Sequence, residues 1–414
     1  MARLLYSLAT LLLLPWAVVH LCLRSRRQPE YLQHVGERFA CYPASPDTRP
    51  LIWIHAVSVG ETRAAETLIT VLKQRYPQHR FLLTHMTPTG RATTSKILED
   101  CERRYLPYDT PWAAQRFLRR YRPQFGLIME TELWPNLIHA CAGHAIPLLL
   151  VNARLSERSA RGYARLGSLT RTALRELRGV IAQSEADAAR LRALGAADVQ
   201  ICGNLKFDLQ APPALNVLAQ HWRSHLGDCP VVLCASTREG EEDLILEAWH
   251  KARPNALLVI VPRHPQRFDE VENLVAKAGL SSQRRSESLP SADTQVWIGD
   301  SMGEMAAYYA FADIALIGGS LLDFGSQNLI EACAMGTPVL LGPSIYNFAE
   351  AAANALACGA AIAVSNAEDF VLKAGVLLND EPRRAAMGLA GKEFTQAHRG
   401  ATERTLQLIE QALK

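Results

Sequence analysis

From residue 50 onward, short apolar runs alternate with helix-like stretches, and they do so in two successive series. The first reads LIWIHAVSV, FLLTHMT, FGLIMETE, PLLLVNARL, GVIAQS and VQICGN; the second reads PVVLCAS, ALLVIVP, TQVWIGD, IALIGGS, PVLLGP and AAIAVS. Short continuous apolar runs read as strands buried on both faces, and strands separated by helices pair in parallel through crossovers. The pattern breaks between Asp208 and Pro230, at LQAPPAL and GDCP, where a linker with one bridging helix at Leu215 to Leu226 is expected. The fold class is therefore α/β, with two facing Rossmann-like domains and a cleft between them. Their expected bounds are residues 28–210 and 228–414, behind an N-terminal segment of residues 1–27. At 414 residues the chain is long enough for both to own a core.

The N-terminal segment LLYSLATLLLLPWAVVHLCL, Leu4 to Leu23, has near the length needed to cross a bilayer and is followed by Arg24, Arg26 and Arg27. Positive charge on that side places the rest of the chain in the cytoplasm, unlike a signal peptide, which starts basic and ends at a cleavage site. Pro15 and His20 leave an interfacial helix as the alternative to a span. A net charge of +3 does not call for nucleic acid, but arginine crowds the first half and suits an anionic surface or substrate. Nine dispersed cysteines without a CxxC pair argue for a reducing compartment, with Cys202 and Cys234 as core residues.

Ligands of open α/β sheets bind beyond the C-terminal strand ends, and the chemistry-bearing residues stand there. Glu61 ends WIHAVSVGE, after a small-residue turn. It is either a first-turn carboxylate complementing the helix dipole or a base whose pKa is raised by apolar walls. Glu130 and Glu132 in METELWPN would share one side of an extended segment, or cap the helix that begins near Pro135. Lys206 in GNLKFD could neutralise a phosphate or carboxylate, or be a surface charge.

In the second series, Arg263 and His264 follow a buried strand, and an arginine in a rigid turn can grip a phosphate bidentately. GDSMGEM, Gly299 to Met305, would offer backbone N–H groups at a helix start. In GGSLLDFGSQNLIEA, glycines Gly318, Gly319 and Gly325 allow close approach, and Ser326, Gln327 and Asn328 are expected to open a helix, with Glu331 able to take ribose hydroxyls. An ordinary glycine loop and helix cap would read the same way. Neither a Walker A loop nor G-x-G-x-x-G occurs, so nucleotide hydrolysis and nicotinamide chemistry lack their usual signs.

In order along the chain stand WIHAVSVGE, METELWPNL, VNARLSERS, AQSEADAARLRALGA followed by GNLKFD, STREGEE, VPRHPQRF, GDSMGEM and GGSLLDFGSQNLIEA. Together they resemble the Kdo transferases (3-deoxy-D-manno-octulosonic acid transferases) of lipopolysaccharide biosynthesis, from the N-terminus to about residue 350. The resemblance implies a GT-B fold with a membrane-anchor helix at residues 4–23, at the cytoplasmic face of the cell inner membrane. It implies CMP-Kdo as donor, the tetraacylated lipid A precursor (lipid IVA) as acceptor, and inverting transfer with no cofactor. Carried over residue by residue, the general base falls on Glu61, and transition-state or acceptor-side stabilisers fall on Glu130, Glu132 and Lys206. CMP contacts fall on Pro262, Arg263, Met302, Gly303, Glu304, Asn328, Leu329, Ile330 and Glu331. Where many members read GGHNPLE this chain reads GSQNLIE, with Gln327 and Leu329 in place of histidine and proline. A monophosphate leaving group needs less neutralisation than a diphosphate, and no metal is expected. The rival readings are a GT-B transferase using a UDP- or ADP-sugar, and a catalytically silent membrane-tethered GT-B binding protein.

Overall fold

The computed structural model describes residues 1–26, 28–43 and 47–414, so Arg27 of the basic flank lies outside the described residues. Among the described residues, fourteen strands form two parallel sheets of seven. The first contains β1 (Leu51–His55), β2 (Arg80–His85), β3 (Glu102–Tyr105), β4 (Phe125–Met129), β5 (Leu148–Ala153), β6 (Gly179–Ala182) and β7 (Val199–Ile201). Its spatial order is β3-β2-β1-β4-β5-β6-β7, so chain direction across the sheet reverses between β1 and β4. That reversal is the switch point at which doubly wound sheets bind ligands.

Alternation along β1 divides its side chains between two cores. Trp53 packs edge-on against Phe117 on one face. Ile52 and Ile54 point to the other, onto Ala65, Leu68, Ile69 and Leu72 of the helix Val59–Arg75. Gly126 on β4 lies under the Trp53 ring, and a Cβ there would stand 2.6 Å from it.

The second sheet contains β8 (Val231–Thr237), β9 (Leu257–Pro262), β10 (Ser282–Arg284), β11 (Val296–Ile298), β12 (Ile314–Ile317), β13 (Val339–Leu341) and β14 (Ala361–Ala363). Its order is β10-β11-β9-β8-β12-β13-β14, with the switch point between β8 and β12. The helix expected in the linker runs from Pro213 to Leu226 and belongs to this unit. Its Trp222 is buried against Trp297, Tyr308 and Phe311, so it is a core element and no free bridge.

The compact units are Met1–Asp208 with Gly400–Lys414, and Leu209–Arg399. The last fifteen residues thus depart from the expected second domain. The reason is a stripe on the terminal helix Ala401–Leu413: Ala401, Leu406 and Ile409 complete the core beneath the helix Val59–Arg75.

The N-terminal helix Ala2–Ser25 is, among the described residues, the one helix long and apolar enough to cross a membrane. Tyr6 donates to Asp109 at 3.0 Å and Ser7 to Asn136 at 2.8 Å. Asp109 also accepts from the backbone N–H groups of Asn136 and Leu137, and so caps the helix Pro135–Gly143. Neither Glu130 nor Glu132 does that. Away from these contacts Leu4, Leu12 and Trp16 are 68%, 72% and 63% exposed, too much apolar surface for an ordinary core helix.

Candidate active site

Glu61 stands in the first turn of the helix that follows β1. Its Oε2 accepts from the Val57 N–H at 2.6 Å and its Oε1 from the Ser58 hydroxyl at 3.1 Å, while Ser58 Oγ accepts from the Glu61 N–H. This is a variant of the capping box, in which the carboxylate reaches back to the residue before the N-cap, and it fixes the carboxylate's direction at the strand end. Burial, and then the charges of Glu130 and Glu132, push Glu61 up to about 8, against the lowering effect of the Val57 and Ser58 bonds. The structure therefore joins the two sequence readings: one residue caps the helix and carries a raised carboxyl.

Glu130 follows β4, on the other side of the switch point. The expected extended segment ends before it, because Glu130 is left-handed, with φ 56°. Side-chain alternation does not continue across such a residue, and the two METE carboxylates have different surroundings. Glu130 receives Lys206 Nζ at 3.1 Å, with an Arg154 guanidinium nitrogen at 4.0 Å. Burial raises its carboxyl, but Lys206 and Arg154 outweigh burial and hold it below its ordinary value. At Glu132 burial, followed by the charge of Glu130, lifts the carboxyl to about 7. Lys206 is mostly buried and no surface charge.

Sequence reasoning assigned no role to Asn152 or Arg154, which stand in VNARL where β5 ends. Asn152 is buried and left-handed, with φ 52°, and its Oδ1 accepts from the Leu205 N–H beside Lys206. A polar pair closing an apolar run was the available signal.

In the second unit the turns after β8, β9, β11 and β12 carry the candidates. Glu241 is fully buried and accepts backbone N–H groups of Arg238, Gly319 and Leu321 at 2.8, 2.6 and 3.0 Å. One carboxylate therefore ties the turn after β8 to the glycine turn after β12. Glu242 accepts from Thr237 at 2.7 Å and from Arg267 at 2.6 Å. Neither glutamate was assigned a role from sequence, although STREGEE places both directly after a strand. Pro262 closes β9, and Arg263 donates from its side chain to Gln327 at 3.2 Å. His264 is held below its ordinary value by burial, then by Arg263, Arg238 and Arg267, which marks a cationic end of the sheet.

Ser326 to Asn328 do not open a helix; the helix starts at Ile330. The N–H groups of Ser326 and Gln327 are turned back onto the carbonyls of Gly319 and Gly318 at 2.6 and 2.9 Å. The side chains of Leu329 and Ile330 are buried, so those residues can meet a ligand only through backbone. Glu304 pairs with Arg285 at 3.2 Å and accepts from Ser301 at 2.6 Å, next to exposed Met302 and left-handed Gly303. Among the described residues no group of three or more His, Cys, Asp or Glu side chains is arranged to hold a metal ion.

Two Rossmann-like units with parallel seven-stranded sheets, carboxylates at the first switch point and a cationic, glycine-lined second one have the architecture of the GT-B fold. A family model described as 3-Deoxy-D-manno-octulosonic-acid transferase (kdotransferase) matches residues 33–209, and one described as Glycosyl transferases group 1 matches residues 236–394. The chain is 41% identical over 432 residues to the 3-deoxy-D-manno-octulosonic acid transferase of Bordetella pertussis, covering 99% of each. It is 36% identical to that of Haemophilus influenzae, covering 100% of this chain and 99% of that one. A glycosyltransferase structure from Rickettsia africae (TM-score 0.60, 15% identity, 89% of this chain and 100% of that one) shares the fold. So does the S. aureus MnaA–UDP structure (TM-score 0.62, 14% identity, 88% and 97%). The chain belongs to the 3-deoxy-D-manno-octulosonic acid (Kdo) transferase family.

Proposed function

We propose that this glycosyltransferase moves Kdo from CMP-Kdo to lipid IVA, with inversion, at the cytoplasmic face of the inner membrane. Kdo transfer in lipopolysaccharide synthesis follows from the family; the acceptor, the membrane face and the residue roles are the further reading. The observation that carries the roles is the splitting of carboxylates at the first switch point. Glu61 is raised to about 8 while Glu130, beside Lys206, is held ionised. Carboxyls pushed apart in this way take different parts in proton chemistry.

Glu61 takes the proton of the acceptor hydroxyl as the new bond forms. Glu130 stays charged and, with Lys206 and Arg154, fixes the field in which Glu61 loses and regains its proton. Glu132, near neutral pH in its titration, is an acceptor-side group. The nucleotide lies on the second unit, with Arg263 toward the phosphate, the Met302–Glu304 turn and Asn328–Glu331 toward the remainder of CMP. Glu241 holds the turn after β8 and the glycine turn that leads to Asn328–Glu331 in one arrangement before the donor arrives, which is where preorganised electrostatic help originates. The outward apolar stripe of the helix Ala2–Ser25 keeps the protein at the bilayer in which a lipid acceptor stays.

The test is CMP release from CMP-Kdo with lipid IVA in detergent and EDTA, followed by mass spectrometry of the lipid. Acceptor-dependent release with a mass gain of Kdo is expected. Release driven by UDP- or ADP-sugars, or no turnover by folded protein, would replace this reading with one of its rivals.

A further inference from the structure

The segment GNLKFD ends the first unit's main stretch, and the terminal helix Ala401–Leu413 returns to meet it. Two of its six residues, Gly203 and Asp208, and Cys202 just before it are explained by that meeting. Asp208 accepts from the Gly400 N–H at 2.7 Å and from the Thr402 N–H at 2.6 Å, so its carboxylate caps the terminal helix from a distant part of the chain. Gly203 is left-handed, with φ 90°, and a Cβ there would lie 3.1 Å from an Arg404 guanidinium nitrogen and 3.5 Å from Ala401 Cβ. Arg404 Nε donates to the Cys202 carbonyl at 2.8 Å. Between these clamps Lys206 is the side chain that reaches Glu130, and its own N–H is turned onto Asn204 Oδ1 at 3.0 Å. The same terminal helix touches the Glu61 helix: Thr402 donates to Thr67 at 3.3 Å.

We infer that Asp208 and Arg404 are positioning residues, which use the returning terminal helix to hold Lys206 against Glu130. The short turn Leu205–Asp208 has little apolar area of its own beyond Leu205 and Phe207, and its place must come from outside contacts. A carboxylate capping two helix N–H groups at one end and a guanidinium bonding a strand-end carbonyl at the other supply them. Displacing a reacting-site group by about 1 Å can cost roughly 10²-fold in rate. The inference rests on the proposed role of the Glu130–Lys206 pair.

The experiment compares Asp208→Ala, Arg404→Ala, Lys206→Ala and Glu410→Ala in the full chain. Glu410 lies on the same helix but pairs with Arg75, outside the clamp, and serves as the control. Expected for Asp208→Ala and Arg404→Ala is a loss of kcat within about tenfold of that of Lys206→Ala, with the KM for CMP-Kdo nearly unchanged. The acid limb of the pH–rate profile should also move to lower pH in both. With Lys206 loosened, Glu130 is less often ionised and raises Glu61 less, whereas a loss of folding alone would leave the limb in place. Arg404→Lys, which keeps a donor, should recover part of the loss. If Lys206→Ala is impaired while Asp208→Ala and Arg404→Ala keep wild-type kcat and profile, the positioning role is wrong and the pair's role stands. If Lys206→Ala is itself fully active, both fall. Should Asp208→Ala fail to fold, the Arg404 pair of variants carries the same decision.

Discussion

At Glu61 a capping residue and a proposed base are one side chain, and the two duties oppose each other. The Val57 and Ser58 bonds favour the charged form, burial and the neighbouring glutamates disfavour it, and the neutral form prevails up to about pH 8. At pH 7 roughly a tenth of the sites are ionised, so kcat/KM should climb with pH, reach half its plateau near 8 and level off above that. Glu61→Gln should lower kcat by about 10²–10⁴-fold and remove that limb, as read in CMP-release assays across pH 6 to 9 (~0.5 steps). Stability follows with its own sign. A carboxyl raised from 4.5 to about 8 on folding contributes stability that is fully present below 4.5 and is lost as pH rises toward 8. Thermal melts at low and high pH should therefore show wild type losing more than Glu61→Gln over that window. Equal losses would mean that Glu61 titrates normally.

Among elements, the turns of the second sheet matter more than its strands. Glu241 gathers three backbone N–H groups from two turns, and each donor orphaned by its loss costs about 1–3 kcal/mol if it stays dry. Glu241→Ala should lower Tm by several degrees and weaken CMP binding by about tenfold or more, which is ~1.4 kcal/mol. Calorimetric titration with CMP checks the second part; binding at wild-type strength would detach Glu241 from the nucleotide turns. Reading these turns from sequence went only part of the way. GGSLLDFGSQ was legible as a close-approach loop, but the helix beyond it starts later than expected, at Ile330. The Ser326 and Gln327 N–H groups had partners in Gly318 and Gly319, and a hairpin-like closure of that kind leaves no local sequence pattern.

On the scale of the whole chain, the N-terminal helix combines a polar attachment with an unattached apolar stripe. Ser7 and Tyr6 tie it beside the helix Pro135–Gly143, while Leu12 and Trp16 point away from the protein. Replacing both with arginine, Leu12→Arg with Trp16→Arg, adds up to about 2.5–3.5 kcal/mol of insertion cost for each residue and leaves the attachment alone. The double variant should move from the membrane fraction to the supernatant on ultracentrifugation with its detergent-assayed activity kept. Retention in the membrane at wild-type level would assign binding to another surface.

Sequence alone determined the two-sheet α/β class, the junction between its halves, the apolar N-terminal helix and the strand-end address of Glu61, Glu130 and Arg263. Those features are written in local periodicity and in turn residues, which neighbouring positions enforce on one another. Only the tertiary structure decided that Glu130 and Glu132 part company, that Lys206 belongs to Glu130, and that the last helix folds back onto the first unit. Each of these depends on groups far apart in the chain: Lys206 and Glu130 are 76 positions apart, and Asp208 and Thr402 are 194. A side chain's charge state and partner are set by what burial and topology bring beside it, and one strand's residues do not carry that information.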